Sequence, residues 1–275
     1  MKKILSSICL LVVAVMAYAQ PDVSAKYAAT INVDNLHKHL SIIAGAEMEG
    51  RETGTEGQRK AAAYIEAQFK AIGLKTVAVL KGYQQFYPLF QDSLKTAELT
   101  IAGNKAVYGK DFVTQLNAND PGKFKSKKIV FAGYGIDDEK YSDYTGLDVK
   151  DKVVIIFLGE PKKDGKFFLN NNGRSSAWTF PGIAKKVAAA KAKGATGVLI
   201  INPTQESFNK TAVDNGKKTG VYFPRENAGG KALNYAQLSH AYAKTIIGNN
   251  FDTLLKIVKA NGTIGNQWAM ETKTK

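Results

Sequence analysis

The imidazoles of this chain are His37, His39 and His240, and its one thiol is Cys9. Imidazoles, thiolates and carboxylates are the donors that hold zinc, and a catalytic zinc also needs a glutamate nearby as general base. His37 and His39 stand two residues apart in Val33 to Ile43, a stretch that reads as a helix. Their side chains therefore diverge by about 200° and do not share a metal. They read as a polar flank of that helix. Asp137-Asp138-Glu139 offers carboxylates to a hard cation, but three consecutive acids point in different directions, and the run reads as a solvated turn. Tyr134, Tyr141, Tyr144 and Trp178 offer aromatic faces, either to a recognition groove or to the core and its rim. The sequence carries no His-Glu-x-x-His, no Gly-x-Ser-x-Gly elbow, no phosphate loop and no dinucleotide fingerprint.

The elements that must position these residues announce themselves by spacing. Thr55 followed by Gln58 fits a capping box. Ala61, Ile65, Phe69 and Ile72 then recur on one helical face, and Gly73 stands where a left-handed C-terminal cap belongs, with Leu74 folding back onto Phe69. A helix from about Glu56 to Ile72 follows, and a second is expected from Pro181 to Lys193, closed by Gly194, with Ile183, Val187 and Ala190 on one face. Lys128–Tyr134, Lys152–Leu158 and Gly197–Ile201 are short, β-branched apolar runs that read as buried strands. Strand, helix and strand in that order predict a helix packed on a sheet through a crossover. Extended segments are expected at Thr76–Leu80, Gln84–Leu89 and Ala97–Ile101, and irregular chain from Asn104 to Asp120. Leu233 to Ile247 and Phe251 to Lys259 read as helices broken at Gly248-Asn249-Asn250.

Two stretches resemble known families. Met48-Glu49-Gly50-Arg51-Glu52-Thr53-Gly54-Thr55-Glu56-Gly57-Gln58-Arg59-Lys60, with the helix behind it, resembles the opening segment of secreted two-zinc aminopeptidases, which hold a co-catalytic zinc site. Gly133-Tyr134-Gly135-Ile136, Tyr141, Asp143-Tyr144, Gly146-Leu147-Asp148-Val149, Lys152-Val153-Val154 and Gly159-Glu160-Pro161 look like a protease-associated domain. Lys186, Ala189-Ala190, Gly194-Ala195 and Val198-Leu199-Ile200-Ile201 continue that pattern. Such domains are inserted in many two-zinc aminopeptidases between the opening helix and the zinc core. The resemblance implies an α/β (α+β) fold, a protease-associated domain of sheet or barrel-like form with flanking helices, preceded by a helical and extended segment. It implies domains at 20–95 and 100–265, with 266–275 leading toward a catalytic part. Gly50, Arg51, Gly54, Gly57, Gly73, Gly133, Tyr134, Gly135, Asp143, Tyr144 and Gly194 are its structural signature positions.

The family's zinc ligands lie downstream of these segments, and the chain ends at Lys275 before any of them. His240 is followed by Ala241 and Tyr242, not by the family's histidine-x-aspartate. No histidine is carried over as a ligand, so zinc is expected only with a catalytic domain, and this chain alone is expected to be inactive. The stripe Ala61, Ile65, Phe69 and Ile72 is then expected to seek a partner, either a catalytic aminopeptidase domain or a second copy. The other reading is a stand-alone module of the protease-associated fold that holds a peptide or protein.

Residues 1–19 read as a signal peptide: Lys2 and Lys3, an apolar run from Ile4, and Ala17-Tyr18-Ala19 as cleavage site. The apolar run is too short to span a bilayer, so no transmembrane anchor is expected and the product is exported, periplasmic or extracellular. Cys9 lies in that leader, which leaves the mature chain without disulfides or thiolate ligands. The formal net charge is +14, yet the lysines are scattered. Their densest cluster, Lys123, Lys125, Lys127 and Lys128 beside the turn Asp120-Pro121-Gly122, reads as a solvated loop, and no nucleic-acid partner is expected. The leader looks bacterial, so the sequons at Asn209 and Asn261 are expected to stay unmodified.

Overall fold

A computed structural model describes residues 24–76, 78–120, 122, 126, 128–170, 172–224 and 233–264. The leader at 1–19, the tail at 266–275 and Lys123, Lys125 and Lys127 lie outside the described residues. The chain divides into two units between Pro88 and Leu89.

The first unit holds α1 (Ser24–Ala28), α2 (Val33–Ile43) and α3 (Glu56–Ala71), with a 3-10 segment at Ala46–Arg51. Asn32 caps α2 by accepting the Asn35 N–H at 2.9 Å. Thr55 caps α3 by accepting from Gln58 N–H at 3.4 Å, while Gln58 Oε1 accepts the N–H of Gly54, not of Thr55, at 2.6 Å. The capping box is thus shifted back by one residue, because the Thr55 N–H already serves the Glu52 carbonyl. At the other end Gly73 (φ +74) closes the helix as expected. Leu74 N–H reaches the Phe69 carbonyl and Gly73 N–H the Lys70 carbonyl, the paired bonds of a Schellman cap. Thr76–Leu80 and Gln84–Leu89 join no strand among the described residues, against expectation. Pro88 lacks an N–H, and the unit contains no described strand to pair with.

Among the described residues the second unit holds one five-stranded sheet and three two-stranded ones. In chain order its strands are β1 (Leu99–Ile101), β2 (Asn104–Ala106), β3 (Phe112–Val113), β4 (Ile129–Phe131), β5 (Asp137–Asp138), β6 (Tyr141–Ser142), β7 (Val153–Phe157), β8 (Lys162–Lys163), β9 (Lys166–Phe167), β10 (Gly197–Ile201) and β11 (Tyr235–Leu238). Its helices are α4 (Ile183–Ala192), α5 (Lys210–Gly216), α6 (His240–Ile247) and α7 (Phe251–Lys259). The central sheet runs β3-β11-β10-β7-β4, with β3 antiparallel and the rest parallel. The three short β-branched runs are its buried parallel strands, as their composition requires. Both faces are covered. Ile155, Phe157, Leu199 and Ile201 pack with Ala243, Ile246, Phe251 and Leu254 of α6 and α7, while Val154, Ile156, Val198 and Ile200 pack with Ala190 of α4. The alternation follows the two-residue period of a strand.

The stretch expected as one helix, Leu233 to Ile247, is strand β11 and then α6. Ala236 and Gln237 favour helix locally, but Tyr235 and Leu238 are buried in the sheet. Ser239 restarts the chain as N-cap, its hydroxyl accepting the Tyr242 N–H. The stretch expected to be irregular, 104–120, contributes β2 and β3. Strand β3 is only two residues long, and side chains supplement it. Thr114 Oγ1 donates to the Tyr235 carbonyl, and Tyr235 N–H donates to Asn119 Oδ1. Upstream, the entry to the unit is pinned by bridges of Phe90 to Tyr222 and Ser93 to Lys218.

Candidate functional site

The polar interior of the second unit gathers where the parallel strands end. Beyond β4 the chain turns through Gly133 and Gly135, both left-handed (φ +52 and +67), and a Cβ on Gly133 would sit 2.2 Å from Asp143 Oδ1. Only glycine lets the loop close over that carboxylate. Asp143, 1% exposed, accepts the N–H of Tyr134 at 3.1 Å and of Ile136 at 3.0 Å on Oδ2, and the Tyr141 hydroxyl at 2.6 Å on Oδ1. Burial pushes its carboxyl up to about 6, against the pull of those donors and of Lys186.

Lys186 faces this loop from α4 and is fully buried. Its Nζ donates to the Tyr134 carbonyl at 2.6 Å and the Gly159 carbonyl at 2.8 Å. The rings of Tyr134 and Trp178 stand 5.9 Å and 6.0 Å away. Burial pulls this amine down to about 7, while the carboxylates of Asp143 and Glu160 hold it up. Glu160, also fully buried, accepts the Ser176 N–H at 2.6 Å and the Ser176 hydroxyl. The Asn261 amide donates to the Glu160 carbonyl at 3.1 Å, and the Tyr134 phenol donates to the Gly262 carbonyl at 2.8 Å. Chemically, this is an acid–base cluster that can hold and exchange protons near neutral pH inside a satisfied network. Every described contact of the amine is internal, so it acts on the chain around it.

The signature positions separate into two groups. Gly133, Tyr134, Gly135 and Asp143 are brought together here, while Tyr144 is buried on the other face of the sheet and Gly194 caps α4. Gly50, Arg51, Gly54, Gly57 and Gly73 serve the first unit. Arg51, itself left-handed at φ +58, donates to the Ile43 carbonyl, and a Cβ on Gly57 would lie 2.0 Å from the Met48 carbonyl oxygen. Of the stripe, Ala61 is buried, Ile65 and Phe69 are 38% and 37% exposed, and Ile72 is 71% exposed. Of the four aromatic candidates, Tyr134, Tyr144 and Trp178 belong to the core and Tyr141 packs against it.

The central lysine was not singled out from sequence as a site residue. A signal existed: Lys186 shares a helical face with Ala190, on the side of α4 that meets the sheet.

Among the described residues no group of three or more His, Cys, Asp or Glu is placed to hold a metal. His39 bonds to the Tyr64 hydroxyl at 2.7 Å, and His240 Nε2 lies 2.8 Å from the Asn202 carbonyl. Asp137 pairs with Lys193 at 2.8 Å, and Asp138 accepts the Trp178 indole N–H at 3.0 Å. Among the described residues no helix is long and apolar enough to cross a membrane.

Residues 97–232 match the family of the PA domain, so the chain is a mixed α/β protein carrying a protease-associated module. Solved structures similar to it include an aminopeptidase from Aneurinibacillus sp. strain AM-1, at 15% identity over 88% of this chain and a TM-score of 0.32. BSAP, a zinc aminopeptidase from Bacillus subtilis, is similar in two structures, at 16% identity over 74% of this chain (TM-score 0.26) and 17% over 62% (TM-score 0.22). The chain spans less than half of these proteins: 43%, 37% and 33% of their lengths. No curated protein sequence matches it.

Proposed function

We propose that this chain is the non-catalytic front portion of an exported aminopeptidase-type metallopeptidase, either truncated or working with a separate catalytic part. The observation that carries this reading is the open stripe on α3. Ile72 is 71% exposed, Ile65 and Phe69 are more than one-third exposed, and all three share a helix face ahead of the protease-associated module. An apolar face of this kind finds another surface. Covering Ile72 fully would stabilise a complex by about 1–2 kcal/mol, and Ile65 and Phe69, already nearly two-thirds covered, would add about 0.5–1 kcal/mol each. The occupant proposed is the catalytic aminopeptidase domain, with a second copy of this chain filling the face when that domain is absent.

The test uses the mature chain, whose N-terminus is expected near Gln20 by mass spectrometry. On aminoacyl chromogenic substrates with added zinc it should show no turnover. In light scattering it should self-associate with increasing concentration. Phe69→Asp should weaken that association at least about tenfold, the equivalent of losing 1.4 kcal/mol. A wild-type monomer at every concentration, whose behaviour Phe69→Asp leaves unchanged, would sink the proposal. Tight binding of a peptide without any catalytic partner would replace it with the stand-alone module.

A further inference from the structure

The buried cluster and the chain following α7 share two anchor points. The backbone carbonyl of Tyr134 holds Lys186, and the Tyr134 phenol holds the Gly262 carbonyl. The Gly159 carbonyl holds Lys186, and the carbonyl of the next residue, Glu160, holds the Asn261 amide. Lys162 N–H adds a backbone bond to the Asn261 carbonyl at 2.8 Å, and Gly262 N–H turns back to Ile257 at 2.8 Å. Ile264, 3% exposed, packs in the same apolar cluster as Tyr134, Phe157 and Trp178.

We propose that Asn261–Ile264 is a latch at the carboxyl end of the sheet, and that charging of Lys186 and Asp143, which both bind its anchor residue Tyr134, drives the latch open. A buried ammonium and a buried carboxylate are each costly unless hydrated or fully matched, and opening admits water to both. The groups that face Lys186 are the Tyr134 ring from the loop after β4, Asp143 from the loop after β6, Glu160 after β7, and Lys185 on its own helix. Asp143 in turn receives the Tyr141 phenol. Both phenols are pushed up by burial and stay protonated donors through neutrality.

The direction follows from linkage. Closure holds Lys186 down at about 7, and opening hydrates it and lets it return toward 10.5, so protonation of the amine favours the open state. Closure holds Asp143 up at about 6, and opening lets it fall toward 3.8, so ionisation of the acid favours the open state too. Opening is therefore greatest between about 6 and 7, where both are charged, and closure strengthens on either side.

Hydrogen exchange across pH 5–9 on the whole mature chain tests this, with rates corrected for intrinsic chemistry and referenced to β10 amides. Protection of Gly262 and of Lys162 should be lowest near pH 6–7. It should rise by up to about tenfold per pH unit above that, the limit for one linked proton. Lys186→Met should abolish the rise. Tyr134→Phe, which removes only the phenol anchor, should lower protection at every pH and move the Lys186 midpoint upward, as read by NMR at its Cε. Protection that ignores pH in the wild type, or a Lys186 midpoint unmoved by Tyr134→Phe, would overturn the latch.

Discussion

Replacing Gly133 by alanine separates the two demands that a left-handed glycine can meet, and Gly146 supplies the control. Both are left-handed, at φ +52 and +72, but a Cβ on Gly146 meets nothing within 4 Å, whereas one on Gly133 lies 2.2 Å from Asp143 Oδ1 and 2.8 Å from its Cγ. At Gly146 the cost is conformational strain of about 1–2 kcal/mol, offset by about 0.4–1 kcal/mol from a less disordered unfolded chain. At Gly133 the carboxylate must also move. A side-chain end can move cheaply when it is free, but this one is nearly fully buried and holds three donors. Leaving even one buried donor unmet adds about 1–3 kcal/mol. Gly146→Ala should therefore cost about 1 kcal/mol and Gly133→Ala about 3 kcal/mol or more. Guanidinium titration followed by the buried Trp178 would measure both, with matched slopes showing that stability and not compactness has changed. Adding Asp143→Ala to Gly133→Ala removes the clash, so the double variant should cost less than the sum of the two singles. The reasoning fails if Gly133→Ala falls within about 1 kcal/mol of Gly146→Ala, near the size of the strain itself.

The stability of the second unit should carry a pH signature from the same pair. The folded carboxyl of Asp143 is raised from 3.8 to about 6, so its contribution is full below 3.8 and is lost as pH rises through 6. The amine of Lys186 is lowered from 10.5 to about 7, so its contribution is full above 10.5 and is lost as pH falls through 7. Stability relative to an Asp143→Asn, Lys186→Met variant should thus be lowest at pH 6–7, with flanking slopes of at most about 1.4 kcal/mol per pH unit, and a monotonic difference curve would contradict it. In the first unit, Gly57→Ala would drive a Cβ to 2.0 Å from the Met48 carbonyl, a backbone atom that cannot swing away. Hydrogen exchange should then show loss of protection in α3 and 46–51 while β7 and β10 keep theirs; equal protection in α3 would count against that close contact.

What the sequence made legible follows the strength of its local signals. Helix α3 shows capping, periodicity and a closing glycine at once, and its boundaries agree with the structure to a residue. Val153–Phe157 and Gly197–Ile201 were legible because strands buried on both faces must be apolar throughout. Tyr235–Leu238 was not, since its strand state depends on β10 and β3 beside it, neither of which its own residues report. The cluster was half legible. Gly133, Gly135 and Asp143 stand in a recognisable run, but the bond from Lys186 to the Tyr134 carbonyl joins distant parts of the chain, and the burial of a lysine runs against its usual preference. The shift of the capping box to Gly54 was invisible for a simpler reason: Glu52 had already claimed the Thr55 N–H through its own carbonyl.

The order of strands in the sheet also sets an order of assembly. From β4 to β7 to β10 to β11, each strand lies beside the one before it in this series, so that part can grow outward from a fully buried centre. Strand β3 is the exception: it precedes them all in the chain yet, among the described strands of the sheet, it borders the last, β11, through two register positions. Closing so long a loop for so few bonds is slow and weakly rewarded. The β3–β11 seam should therefore zip last in folding and open first in the native state. The side-chain bonds of Thr114, Gln115 and Asn119 with Tyr235, and of Asp120 with Asn234, then set how long it stays shut.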